Sequence, residues 1–129
     1  MKRIIITRFS AMGDVAMLAS VLKEFQQQHL DTELIVVSRP LFAAFFEHIP
    51  RLIFHEIHPK TKHKGLQGLF KLYKELSVYN AQFVADMHNN LRSRILQVFF
   101  SFSGKQIKSL DKGRSEKKAL VQHKIFHQL

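Results

Sequence analysis

Asp14 stands where a carboxylate can do chemistry, at a predicted strand-to-helix turn. Before it, residues 4–6 are an isoleucine run that predicts a buried parallel strand, and Leu18, Leu22 and Phe25 follow it at helical spacing. Open α/β sheets bind their ligands at the carboxyl ends of such strands. Asp14 could therefore be a general base toward a substrate hydroxyl, or it could cap the helix, and spacing alone favours the cap.

Gly13, the residue before this aspartate, permits either a tight turn or a close approach of the backbone to a ligand. The surrounding residues match neither the glycine pattern of dinucleotide-binding sites nor that of P-loops. Neither dinucleotide nor triphosphate binding is therefore indicated.

A basic run precedes a predicted helix in the middle of the chain. It contains Lys60, Lys62 and Lys64, and at 100° per residue Lys64 shares a polar helix face with Lys71 and Lys74. Such a run could grip the phosphates or carboxylates of an anionic substrate. A solvated helix face is the alternative, and the pattern leaves both open.

Metal binding is not indicated. The nearby histidines, His55, His58 and His63, are too loosely spaced for a zinc site, and no cysteine or carboxylate completes a set. The chain has no cysteine at all, which also excludes disulfides and a thiol nucleophile.

Polar residues also crowd a second strand-to-helix turn, between Asp86 and Arg92. His88, Asn89 and Asn90 lie within it. A turn and a helix cap, with Asn90 as the cap, would account for only some of these groups. The surplus favours a binding edge, because this loop and the first one follow strands that we expect to end on the same rim.

Strand-like and helix-like segments alternate along the chain. Strands are predicted around residues 4–6, 33–38, 52–57, 82–87 and 106–110, and helices at 40–46, 65–76 and 91–102. The second of these helices places Leu66, Leu69, Phe70, Tyr73 and Leu76 on one apolar face, and the third is apolar on most sides, which predicts that it is well buried. The alternation predicts an α/β fold with a mostly parallel sheet.

The charge is strongly positive, with 20 Lys and Arg against 10 Asp and Glu among 129 residues, a net charge of +10. This favours a polyanionic partner, such as phosphate, nucleic acid or an anionic membrane surface, without choosing among them. No segment approaches the roughly 20 apolar residues of a membrane span, and the amino terminus does not have the pattern of a signal peptide. A cytoplasmic protein is expected.

Three segments together carry a family resemblance. They are Ile4-Ile5-Ile6-x-Arg8-Phe9-Ser10-Ala11-Met12-Gly13-Asp14-Val15 with Leu18-x-x-Val21-Leu22 behind it, Asp86-Met87-His88-Asn89-Asn90-Leu91-Arg92-Ser93, and Asp111-Lys112-Gly113-Arg114-Ser115-Glu116-Lys117-Lys118-Ala119-Leu120. The first resembles the opening of the glycosyltransferase family 9 enzymes, the ADP-heptose:lipopolysaccharide heptosyltransferases and their relatives. The other two support it by order and spacing, and the likeness covers nearly the whole chain.

The resemblance implies a Rossmann-like, doubly wound, mostly parallel sheet, the acceptor-binding N-terminal half of a two-domain GT-B glycosyltransferase. Residues 1–110 would form this domain, and residues 111–129 a basic segment leading toward a donor-binding domain that the chain lacks. The reaction would be the inverting, metal-independent transfer of a heptose or similar sugar from a nucleotide-sugar donor, such as ADP-heptose, to a lipopolysaccharide core hydroxyl. We expect the chain to fold but not to transfer sugar by itself.

The resemblance also assigns roles to residues. The aspartate of the family's Gly-Asp motif is the proposed general base, and it matches Asp14. Basic residues after the third strand help to hold the acceptor in the family, and Lys60, Lys62 and Lys64 lie in the matching region. With this acceptor, the two polar loops add five further predicted acceptor-binding residues, namely Ser10, Gly13, His88, Asn89 and Arg92. The implied partner is an anionic glycolipid acceptor, with peripheral contact at the cytoplasmic face of the inner membrane.

The alternative is a non-catalytic basic α/β domain that binds a polyanion such as nucleic acid or a phosphorylated ligand. Nucleic-acid binding is not expected, because tryptophan is absent and no basic strand carries interleaved aromatic residues. A stand-alone scaffolding or regulatory domain would also explain the fold without catalysis.

Overall fold

A computed structural model describes residues 2–109, which form a parallel sheet with helices on both sides. The strands are β1 Lys2–Thr7, β2 Thr32–Ser38, β3 Leu52–Glu56, β4 Phe83–Asp86 and β5 Gln106–Ser109. The helices are α1 Met12–Gln28, α2 Gly65–Ser77 and α3 Leu91–Phe102, and a 3-10 helix, Pro40–Phe46, connects β2 to β3. The predicted basic segment 111–129 lies outside the described residues.

The five strands lie in the order β3-β2-β1-β4-β5, and all four neighbouring pairs are parallel. The chain therefore winds outward from β1 in one direction through β2 and β3, then returns to build the other half of the sheet. The direction reverses between β1 and β4, which is where open α/β sheets form a ligand crevice. The predicted Rossmann-like, doubly wound sheet is confirmed.

The isoleucine run forms the central strand because both of its faces are covered. Ile4 and Ile6 pack into a core with α1 and the 3-10 helix, whereas Ile5 packs on the opposite face with α2 and α3. Every one of these side chains is at most 1% exposed. A strand buried on both faces needs a continuous apolar run, not an alternating one.

Only part of the predicted apolar face of α2 is buried in the structure. Leu69 and Leu76 are buried, together with Leu72, which the prediction missed. Leu66 and Phe70 are instead 64% and 40% exposed. The buried side of the helix includes Leu72 together with Leu69 and Leu76, so the predicted face was placed too far toward Leu66 and Phe70, which lie at one edge of the apolar arc.

The prediction that α3 is well buried is wrong. Its buried residues are Ser93, Leu96 and Phe100, while Leu91, Val98 and Phe102 are 75%, 53% and 86% exposed. The helix lies on the outside of a sheet, so only one side can pack against the strands. No helix within residues 2–109 is long and apolar enough to cross a membrane.

Candidate functional site

Four loops enclose a cleft of about 510 Å³ at the carboxyl edge of the sheet. The segments that follow β1, β2, β3 and β4 contribute, in order, Phe9 and Ser10; Arg39, with Pro40 and Leu41 of the 3-10 helix; Ile57, His58, Pro59, Lys60 and Thr61; and His88 and Asn90, with Arg92 of the first turn of α3. Among these lining residues the charged side chains are all cations, namely Arg39, Lys60 and Arg92. The cleft is therefore suited to an anionic ligand.

The structure brings only some of the predicted site residues into this cleft. Ser10, Lys60, His88 and Arg92 line it, and the remaining predicted residues, Gly13, Asp14, Lys62, Lys64 and Asn89, do not. Sequence reasoning missed the cation Arg39. The position of Arg39 in the sequence could have identified it, because this residue directly follows the predicted second strand and is therefore expected on the same rim as the other loops.

Asp14 is held by an ion pair at the start of α1. It is the third residue of that helix, the N-cap position belongs to Ala11, and no side chain forms a cap hydrogen bond there, so the cap interpretation of Asp14 is wrong. Its Oδ2 accepts a hydrogen bond from Nη2 of Arg8 at 2.7 Å. The carboxylate side chain is 24% exposed, which leaves it accessible.

Arg8 ties the two strand ends at the switch point together. Its side chain is 7% exposed, and its Nη1 donates a 2.7 Å hydrogen bond to the carbonyl of Met87, after β4. Burial lowers the pKa of Arg8, while the nearby Asp14 and Asp86 carboxylates act in the opposite direction. Since a buried guanidinium requires a charged partner, Asp14 both stabilises this contact and is oriented by it.

Gly13 has two predicted roles, a tight turn and a close approach of the backbone to a ligand, and the structure bears on the first. It is the second residue of α1, and a Cβ built on it meets no atom within 4 Å. A tight turn therefore does not explain this glycine. Close approach of a ligand to the backbone stays a prediction.

Asp86 organises the loop after β4. It is 1% exposed, and its Oδ1 accepts hydrogen bonds from the Thr7 hydroxyl at 3.1 Å and from the backbone N–H groups of His88 and Asn89 at 3.0 and 2.8 Å. Oδ2 accepts from the side-chain amide of Gln97. Asp86 is therefore a buried structural anchor for the polar loop.

His88 bridges the loops after β1 and β4 inside the cleft. Its Nδ1 accepts a 2.9 Å hydrogen bond from the backbone N–H of Phe9, so the neutral ring carries its proton on Nε2. Asn89 has its side-chain oxygen bonded to Arg94 Nε at 2.8 Å. Asn90 is the helix cap, as predicted, and forms a reciprocal capping box with Ser93.

A partly buried polar cluster fixes the loop between β3 and α2, which supplies Lys60 to the cleft. Glu75 of α2 lies at its centre, bonded to Nε2 of His55 at 2.8 Å, Nε2 of His63 at 3.1 Å and Nζ of Lys62 at 3.2 Å. His63 is fully buried, and its Nδ1 accepts the His58 backbone N–H at 2.9 Å. Burial lowers the pKa of His63, so we assign a neutral ring that donates Nε2–H to Glu75.

This cluster predicts a pH dependence of stability. Burial by itself would raise the pKa of Glu75, but the hydrogen bonds to His55, His63 and Lys62 have the larger effect and lower this pKa to about 2. A depressed carboxyl pKa stabilises the fold above the unfolded value of 4.5, and this contribution is lost as the pH falls toward 2. In urea titrations, Glu75→Gln should therefore cost about 2 kcal/mol at pH 6 and clearly less at pH 3. The exposed Glu47→Gln is the control, and a pH-independent cost at Glu75 would contradict the assignment.

The described residues contain no group of three or more His, Asp or Glu side chains positioned to hold a metal ion. The side chains of the site offer two chemical possibilities. They are cationic recognition of an anion in the cleft and, at the amino end of α1, a carboxylate held in a fixed orientation.

No protein-family profile matches the chain, and no curated protein sequence matches it. Its fold, however, is found in solved structures. A glycosyl transferase family 9 protein from Veillonella parvula superposes with a TM-score of 0.76 at 20% identity, over 99% of this chain and 41% of that one. The E. coli heptosyltransferase WaaC with ADP gives 0.73 at 14% identity, over 98% of this chain and 47% of WaaC.

A UDP-N-acetylglucosamine 2-epimerase is also similar, with a TM-score of 0.59 at 10% identity, over 99% of this chain and 40% of the epimerase. At these identities the likeness defines the fold and not the chemistry. The chain has the Rossmann-like architecture of one half of a GT-B structure. It resembles, in particular, one domain of the family 9 glycosyltransferases, and it spans less than half the length of these relatives.

Proposed function

We propose that this chain is the acceptor-binding half of an inverting glycosyltransferase that moves a heptose or similar sugar onto a lipopolysaccharide inner-core hydroxyl. The observation that carries the proposal is the cleft at the switch point of the sheet. Its charged lining is formed by Arg39, Lys60 and Arg92 alone, and the loop that follows β1 leads from it to the ion-paired Asp14. An acceptor rich in phosphate and carboxylate groups matches this charge.

The cations differ in what they recognise. Arg39 follows β2 and Arg92 lies in the first turn of α3, and both present planar guanidinium groups, which bind phosphate and carboxylate through paired hydrogen bonds. Lys60 supplies a point charge from the third loop. Three cations on separate loops can select an acceptor by the spacing of its anionic groups.

Asp14 is the general base of the proposed reaction. Its carboxylate takes the proton of the acceptor hydroxyl as that oxygen bonds to the anomeric carbon, and the bond to the nucleoside diphosphate breaks with its electrons leaving on the phosphate. One displacement inverts the anomeric configuration. Arg8 keeps the carboxylate oriented through its own bond to Met87.

In this proposal, the nucleotide-sugar donor binds a part of the enzyme that lies outside this chain. The similar WaaC structure contains ADP, and this chain covers 47% of WaaC. A nucleotide sugar such as ADP-heptose would therefore bind a second domain, without a metal, as the family resemblance implies. Such a reaction takes place in the cytoplasm, at the face of the inner membrane that holds the glycolipid acceptor.

The acceptor-binding role predicts a charge-dependent affinity that can be measured on this chain. Isothermal titration with deacylated lipopolysaccharide core should show binding, and Lys60→Gln and Arg92→Gln should each weaken it by about tenfold. Lys23→Gln, an exposed lysine of α1, is the matched control and should bind like the wild type.

Two further probes test the class of ligand. Dephosphorylated core should bind much more weakly than the phosphorylated form. If a single-stranded oligonucleotide of equal charge binds as tightly and is equally sensitive to Arg92→Gln, the chain is a general polyanion-binding domain instead. Equal binding by the wild type and both cleft variants would also contradict the proposal.

A further inference from the structure

The basic charge of the described chain is concentrated in one half. Residues 2–56 contain six Lys or Arg and six Asp or Glu, whereas residues 57–109 contain nine Lys or Arg and only two acidic residues. Those two are engaged internally, since Asp86 is 1% exposed and Glu75 is bonded to His55, His63 and Lys62. The half that contains α2 and α3 therefore presents an almost purely cationic surface.

An apolar stripe runs along the outer side of α3. Leu91, Ile95, Val98 and Phe102 recur at spacings of four, three and four residues, which places them on one helix face. That face is opposite to Leu96 and Phe100, the residues that pack on the sheet. Phe102 is 86% exposed and Leu91 is 75% exposed. An outer helix side normally carries polar residues, so this stripe indicates a contact.

Residues of α2 extend the apolar stripe sideways. Leu66 lines a groove of about 420 Å³ together with Leu91 and Ile95. Phe70 meets Phe99 edge-on, with ring centroids 5.4 Å apart. The two helices thus share one apolar surface, which we call the α2–α3 face.

Cations border this surface directly. The ammonium group of Lys74 lies 5.2 Å from the centroid of the Phe70 ring, and Lys71 is exposed one turn before it on the helix side away from the sheet. Arg92 lines the groove beside Leu91. Apolar residues flanked by Lys and Arg are typical of helices that lie in the interface of an anionic bilayer.

We propose that the α2–α3 face docks on the surface of an anionic lipid bilayer. The apolar stripe enters the boundary between headgroups and acyl chains, while Lys71, Lys74 and Arg92 meet the negative headgroups. A second copy of the chain is the less suitable occupant, because pairing two such faces would bring like charges together. The inference rests on the proposed function only in that a glycolipid acceptor lies in a membrane. The α2–α3 face and its bordering cations share only Arg92 with the cleft, and its test needs no acceptor.

The test is sedimentation of the full chain with vesicles of phosphatidylcholine, with and without phosphatidylglycerol. We expect binding only when phosphatidylglycerol is present, weakened by salt, because each cation near the surface contributes about fivefold to the affinity. Phe102→Gln and Val98→Gln should each reduce binding by about tenfold. The double substitution Lys71→Gln with Lys74→Gln removes two cations and should reduce binding by about 25-fold.

Matched control variants test whether a loss of vesicle binding is specific to the α2–α3 face. Leu30 is 73% exposed but lies outside the face, so Leu30→Gln should bind vesicles like the wild type, as should Lys23→Gln. Because Phe102 and Val98 are exposed, their replacement leaves the core intact, which circular dichroism checks. Inorganic phosphate is added as a competitor to separate headgroup binding from free-phosphate binding.

Three outcomes would overturn the proposal. The first is that the chain does not bind vesicles that contain phosphatidylglycerol. The second is that Leu30→Gln weakens vesicle binding as much as Phe102→Gln does. The third is that millimolar phosphate displaces the chain from vesicles while Phe102→Gln has no effect on binding. A concentration-dependent dimer that Phe102→Gln abolishes, with no vesicle binding, would assign the face to a second copy. The Phe102→Gln variant should still bind deacylated core like the wild type. A failure of the membrane-docking proposal can therefore be distinguished from a failure of the acceptor-binding proposal.

Discussion

Gly68→Ala should lower the free energy of unfolding by about 3 kcal/mol, because the backbone of another segment occupies the space that the methyl group needs. A Cβ built on Gly68 lies 2.2 Å from the carbonyl carbon of His63, 2.6 Å from its Cα and 2.8 Å from its oxygen. These are backbone atoms, so no side-chain rotation relieves the overlap.

The loop cannot move away without losing its buried bonds. The ring of His63 accepts from the backbone of His58 on one side and bonds Glu75 on the other. Displacing it would break both contacts and would shift Lys60 and His58, which line the cleft. We therefore expect Gly68→Ala to weaken binding of deacylated core as well as the fold.

Chemical denaturation measures the first effect, and Gly13→Ala is the matched control. Gly13 is also helical, but its Cβ would meet no atom within 4 Å. Alanine there should leave stability unchanged or raise it by about 0.5–1 kcal/mol. If Gly68→Ala is as stable as Gly13→Ala, the close contact between α2 and the loop is not present in solution.

Most of the fold could be predicted because the chain alternates apolar strands with helices of ordinary length. The isoleucine run at residues 4–6 indicated a buried strand, the spacing of apolar residues indicated α2, and the asparagine at 90 indicated the start of α3. Burial of helix faces was harder to predict. A helix that is apolar on most sides has the same pattern whether it is buried or carries an exposed apolar stripe, as α3 does.

The candidate site was only partly predictable, because loops after different strands meet in space but not in sequence. The strand-end rule correctly drew attention to the loops at Asp14 and Asp86, but it could not show that Asp86 is an internal anchor. The pairing of Asp14 with Arg8 also depends on the path of the turn between them. Charge alone could not separate Lys60, which lines the cleft, from Lys62, which bonds Glu75.

Asp14→Asn should reduce sugar transfer by about a hundredfold to ten-thousandfold, because an amide cannot take the proton of the acceptor hydroxyl. The fold should be less stable but retained, because asparagine removes the charged partner of the buried Arg8 while its amide oxygen can still accept the hydrogen bond from Arg8. Affinity for deacylated core should change little, because the cations of the cleft that hold its anionic groups in the proposal are unchanged. Transfer is measured with a nucleotide-sugar donor in a protein that joins this chain to a donor-binding domain.

The control for that measurement is Asp31→Asn, an exposed aspartate that precedes β2. It should transfer sugar at the wild-type rate. Asp14→Glu separates the carboxylate from its position: it keeps an ionisable base but moves it by one methylene, so partial activity is expected above that of Asp14→Asn. A folded Asp14→Asn protein that binds core normally and transfers sugar at the wild-type rate would remove Asp14 from the reaction. The Arg8–Asp14 pair would then be only a structural contact between the end of β1 and α1.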